Sequence, residues 1–90
     1  MLQNLNQKFA IEDVLLDEYK CPDLGVSSIL FVNGLSLKRI EKVNSICYFV
    51  FSNLEECRKV SIDYWNNHCF VDARSFNQAN AILKNRMFIN

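Results

Sequence analysis

Residues 46–51, Ile-Cys-Tyr-Phe-Val-Phe, constrain this chain more than any other stretch. In an extended segment side chains alternate between two faces, so Ile46, Tyr48 and Val50 fall on one side and Cys47, Phe49 and Phe51 on the other. Both faces are apolar, and such a strand has to be covered on both sides, by helices or by a partner. Just upstream, Leu37-Lys38-Arg39-Ile40-Glu41-Lys42-Val43 reaches this run through Asn44-Ser45, a two-residue turn whose Asn tolerates positive φ. A central β-hairpin is therefore expected over about residues 36–51.

Helix signals surround the hairpin. Asn53 stands three residues before Glu56 in the form of a capping box, and Cys57, Val60, Ser61 and Tyr64 recur at helical spacing, which predicts a helix over 54–66 ended by Asn66-Asn67. Asp72 caps a last helix over 73–87 with a stripe of Phe76, Ala79, Ile82, Leu83 and Met87, and with Lys84 and Arg86 near its negative end. Between the two, His68-Cys69-Phe70-Val71 reads as an apolar connector or a short third strand at 68–71. Asp23 caps a helix over 24–33 that Gly34 terminates. In residues 1–19, Leu2, Leu5, Phe9, Leu15 or Leu16, and Tyr19 give a loose helical stripe interrupted by Glu12-Asp13, so the acidic segment 1–18 reads as a helix or an arm. The fold class is α+β, with a single domain over 19–90 behind that arm.

Half of the 90 residues are apolar, enough for one core and too little chain for two. Ten basic and ten acidic groups cancel, which removes the positive field of a dedicated nucleic-acid binder. They are unevenly placed: residues 1–23 hold Lys8 and Lys20 against Glu12, Asp13, Asp17, Glu18 and Asp23, leaving a mildly basic remainder. The opening residues have no leader-like pattern and no run is long enough to span a bilayer, so a cytoplasmic chain with no membrane association is expected, its four cysteines free thiols.

No catalytic, cofactor or metal site emerges. His68 and Cys69 are adjacent and point apart when extended, so a dyad would need His68 with Cys57 or Cys47. Cys47, Cys57, His68 and Cys69 are soft ligands without the short spacings of a zinc knuckle. Gly25 and Gly34 stand alone, so no phosphate loop is present, and the carboxylate pairs Glu12-Asp13, Asp17-Glu18 and Glu55-Glu56 read as solvated faces or first helical turns. Two groups remain as binding candidates. Lys38, Arg39 and Lys42 beside Tyr48, Phe49 and Phe51, with Arg58 and Lys59, combine cations with rings as single-stranded nucleic-acid binders do. Tyr64 and Trp65 end a helix, where Trp65 either closes a corner around Val71 and Phe76, the preferred reading, or anchors an interface.

From Asp23-Leu24 onward the pattern, with Gly34, Leu35 and Leu37, Phe49-Val50-Phe51, Tyr64-Trp65-Asn66, Val71-Asp72 and Leu83-Lys84, resembles DUF5659, a family of small domains of unknown function found in bacteria, phages and other mobile elements. The resemblance covers about residues 19–90. It departs at Asn67, where members tend to have Gly, and at Ser27-Ser28, where they have Ala. It assigns no chemistry. It implies a non-enzymatic accessory or regulatory module acting by contact with a host or phage protein, for instance an inhibitor of a host defence system. Nucleic-acid binding through the hairpin face is the alternative, and a homodimer through the acidic arm is a further possibility.

Overall fold

In the computed structural model of the chain, residues 11–89 are described, with side chains from Val14 onward. The elements in order are α1 (Ile11–Leu16), β1 (Glu18–Cys21), α2 (Leu24–Val32), β2 (Leu37–Val43), β3 (Ile46–Ser52), α3 (Leu54–Trp65) and α4 (Ala73–Met87). The class is α+β, as expected, and the hairpin is β2–β3, turning through Asn44 and Ser45 at φ 51° and 73°. That pair of positive angles matches the right-handed twist of the strands it joins. The caps also follow the sequence. Asp23 accepts from the Val26 amide at 2.9 Å, Asn53 from Glu56 at 3.2 Å and Asp72 from Ser75 at 2.9 Å.

The sheet differs from expectation in its third strand. The order is β1-β3-β2, all antiparallel, and the third member is Glu18–Cys21 rather than 68–71. Residues 68–71 cannot pair because α3 ends in a left-handed Asn67 (φ 61°), with the His68 amide bonded back to the Asp63 carbonyl at 2.8 Å, and Asp72 is already committed to capping α4. By contrast Glu-Tyr-Lys-Cys alternates polar and apolar, so Tyr19 and Cys21 join the core while Glu18 and Lys20 point the other way. The sheet body thus begins inside the stretch read as an arm. The Asp17 carbonyl accepts the Asn53 amide at 3.0 Å, and its carboxylate accepts the Leu54 amide at 3.0 Å, adding a second cap to α3. The stripe over Leu2, Leu5 and Phe9 lies outside the described residues.

Phe49 and Phe51, with their register partners Cys21, Tyr19, Ile40 and Leu37, face Val26, Leu30, Cys57 and Leu83 of the three larger helices. α2 is the hub: Val26 to Leu30 are all buried, and the helix packs most extensively on α4, then on α3 and β1. Ser27 is the misfit here. Its hydroxyl is fully buried without a well-placed partner, the neighbouring Cys21 thiol being a weak one. Ser27→Ala is expected to raise unfolding stability by about 1 kcal/mol in urea titration, since a buried orphan hydroxyl is lost; a loss of stability would show that the hydroxyl is bonded after all.

The other face of β3 corrects the requirement for helices or a partner on both sides. Among the described residues, side chains of five charged residues cover it. Lys38 is the extra residue of a β-bulge, which lets it and Arg39 both reach Glu18. Arg39 donates to both Glu18 oxygens at 3.0 and 2.9 Å and from Nε to Glu41 at 2.7 Å, while Lys38 lies 3.2 Å from Glu18 and Lys20 3.6 Å from Glu41. The stems of Lys20 and Arg39, the register partners of Val50, leave that residue with no exposed surface. Glu18, read as part of a solvated pair, is instead 3% exposed, because its charge is answered by two cations across the central strand.

Candidate protein-binding surface

α3 ends against α2 at a glycine. A Cβ on Gly25 would sit 3.0 Å from the Tyr64 hydroxyl and 3.2 Å from Asp23 Oδ1, so a larger residue would push the Tyr64 ring a few tenths of an ångström off the first turn of α2. Tyr64 is half-buried against the core, and Trp65 meets it edge to face with centroids 5.0 Å apart at 87°. Such a pair holds the indole in one orientation. The preferred reading of Trp65 as a packed corner is overturned: it is 64% exposed. Trp65 continues the row of Cys57 and Ser61 but is the last residue of α3, beyond the packed part of that face, and Val71 and Phe76 do not enclose it.

Beyond the left-handed turn at Asn67, the chain returns past Trp65 and presents Phe70 at 89% exposure. Ile29, Tyr64, Trp65, Asn67, Cys69 and Phe70 line a cleft of about 500 Å³. Ile62, one turn before Trp65 on α3, adds a further exposed aliphatic group. Phe70 was missed at the sequence level. It sits in the run Cys69-Phe70-Val71, which has the appearance of core, and only the turn geometry turns it out to solvent.

The hairpin candidates are arranged otherwise. Phe49 and Phe51 are buried, so their rings are closed to stacking, and Lys38 and Arg39 are occupied by Glu18 and Glu41. The Arg39 guanidinium holds Glu18 down from its ordinary 4.5 to about 2, and Glu41 is lowered by the same group. Lys42 donates to the Met87 carbonyl at 2.7 Å, closing the end of α4. Arg58 pairs with Glu55 on its own helix at 3.7 Å, while Lys59 is exposed with no ion pair among the described residues. Arg58 and Lys59 stand on α3 and the other three on β2, so they do not form one basic edge.

The thiols do not gather. Cys57 donates to the Ser52 carbonyl at 3.4 Å, and burial pushes it up to about 12 from 9; burial raises Cys21 too. Both are held as neutral thiols, the opposite of what nucleophilic attack requires. His68 is exposed and Cys57 fully buried, so they make no dyad. Among the described residues no three His, Cys, Asp or Glu side chains converge as metal ligands, and no helix is long and apolar enough to cross a membrane.

No curated protein and no solved structure matches the chain significantly. One family model does, a domain of unknown function, over residues 16–89, a span that takes in β1 and every larger helix. It starts three residues earlier than the motifs alone outlined, at the point where Asp17 and Glu18 tie into the sheet. The chain is a member of that family, DUF5659.

Proposed function

We propose that this chain is a non-enzymatic binding module that engages a protein partner through Trp65 and Phe70. The observation that carries the reading is the exposure of these two rings, 64% and 89%, across one cleft. Exposed large aromatic groups over a concave apolar floor are what interface hot spots are made of: they give much contact area with few rotatable bonds to freeze. The edge-to-face contact with Tyr64 fixes one of them before a partner arrives, which lowers the entropy lost on docking. An accessory protein that acts stoichiometrically on a host or phage protein, such as an inhibitor of a defence system, is the form of this reading that the family resemblance implies; such a role would be played in the cytoplasm.

The test is an affinity capture from the native host, with the captured partner then titrated against purified variants. Trp65→Ala and Phe70→Ala are each expected to weaken that partner at least about 30-fold, the scale of a hot-spot truncation, with the fold intact by circular dichroism. Arg58→Ala/Lys59→Ala should leave it unchanged. Capture of nucleic acid that is lost only in the Arg58/Lys59 variant and falls with added salt would replace this reading with nucleic-acid binding.

A further inference from the structure

Three rings and no cation line the cleft at the end of α3. Tyr64, Trp65 and Phe70 stand there with Ile29, Asn67 and Cys69, and none of the six carries a formal charge. The edge-to-face contact with Tyr64 leaves most of the indole in solvent. An aromatic face is the negative end of a quadrupole, so a cleft walled by rings attracts a cation, and tryptophan does so most strongly.

The carboxylates beside the rings add to that attraction. Asp63 directly precedes Tyr64, is exposed, and makes no ion pair among the described residues, not even with Lys59 one turn back on α3. Asp72 follows Phe70 by two residues, and Asp23 Oδ1 lies 3.2 Å from the point at Gly25 that the Tyr64 hydroxyl approaches to 3.0 Å. Asp23 and Asp72 cap helices through neutral backbone amides, so both keep their negative charge. Against these three acids, the cations nearest in sequence to residues 64–70 are Lys59 and Arg74. The surroundings of the rings are therefore negative on balance, and a nucleic acid would be repelled there.

We infer, resting on the reading of Trp65 and Phe70 as a protein interface, that the group the partner seats in this cleft is an arginine side chain, held by the rings and with Asp63 as the carboxylate that answers its charge. A guanidinium is planar and more weakly hydrated than an ammonium, so it stacks on rings at a smaller desolvation cost than lysine. An aliphatic anchor would use the rings and leave the acids idle.

Selection of peptides from a random displayed library on the immobilised full chain tests this without knowledge of the natural partner. The peptides retained are expected to share an arginine at one position and to bind Trp65→Ala at least about ten-fold more weakly in calorimetric titration. Replacing that arginine by citrulline, which keeps the planar shape and removes the charge, should weaken binding about ten-fold. Asp63→Asn should weaken the arginine peptide about three-fold and leave the citrulline peptide unchanged, a coupling that a merely structural role for Asp63 would not produce. Circular dichroism on each variant separates lost binding from lost fold. Peptides anchored on an aliphatic or aromatic residue, a citrulline form that binds as well as the arginine form, or a library that yields no peptide dependent on Trp65 overturns the inference. A captured host partner weakened by Trp65→Ala keeps the interface even where arginine fails, whereas a captured partner indifferent to Trp65→Ala removes both.

Discussion

Phe49→Ala is expected to cost about 3–5 kcal/mol of folding stability, the range for emptying an aromatic site in a packed core. The residue is 1% exposed on the central strand, between Cys21 and Ile40 in register and beneath α2 and α4. Small domains hold about 5–15 kcal/mol in total, so the variant should unfold at a much lower urea concentration than the wild type. Phe70→Ala removes the same ring from a site 89% exposed and should shift stability by no more than about 0.5 kcal/mol. Urea titrations of the two give the contrast directly. Equal midpoints would mean that Phe70 is packed, and would remove the interface reading with it.

Acid is expected to unfold the protein between pH 4.5 and about 2, the ordinary and folded-state values for Glu18. The sign follows from proton binding: the unfolded chain takes up its proton first as pH falls, so the stabilisation is complete above the unfolded value and drains away towards the folded one. Glu41 and Asp72, lowered by Arg39 and by the Ser75 amide respectively, push the same way. Glu18→Gln should therefore be much less stable than wild type at neutral pH, because Lys38 and Arg39 lose the carboxylate that balances them over Val50, and the difference should shrink towards pH 2. Thermal melts across that range read it. Curves that run parallel would show that the ion pairs are ornamental. On the alkaline side the sign reverses, because Cys57 is raised from 9 to about 12 and Cys21 and Tyr19 are raised with it: the unfolded state ionises first, and stability declines from about pH 9 upward.

The elements with their own local signals were legible before the structure. Asn44-Ser45, Asp23, Asn53, Asp72 and Gly34 each act within a few residues, so their spacing was enough to place a turn, three caps and a stop. Long-range pairing was not. Glu18–Cys21 finds Phe49–Ser52 some thirty residues away, and a four-residue strand carries too little periodicity to advertise itself; the equally short but more apolar run at 68–71 looked the better strand and is coil. Val50 taught a related lesson. Its burial required a cover, and the cover proved to be charged side chains, whose aliphatic stems a hydropathy pattern counts as polar. At the candidate surface Tyr64 and Trp65 were visible as a pair, but whether Trp65 is covered depends on where the chain runs beyond the left-handed Asn67.

The placement of β1 also bears on the order in which the molecule assembles. The 37–52 ribbon closes over a turn of two residues, whereas the first strand must wait for a partner far downstream, and joining distant segments costs more chain entropy than joining near ones. The ribbon and the helices flanking it are therefore expected to form early and the leading strand to join late, so that substitutions in Glu18–Cys21 change the unfolding rate more than the folding rate. Once joined, that strand is locked by buried Cys21 and by the Glu18 ion pairs, so its amides bonded to β3 are expected to trade their hydrogens with solvent only when the whole sheet opens.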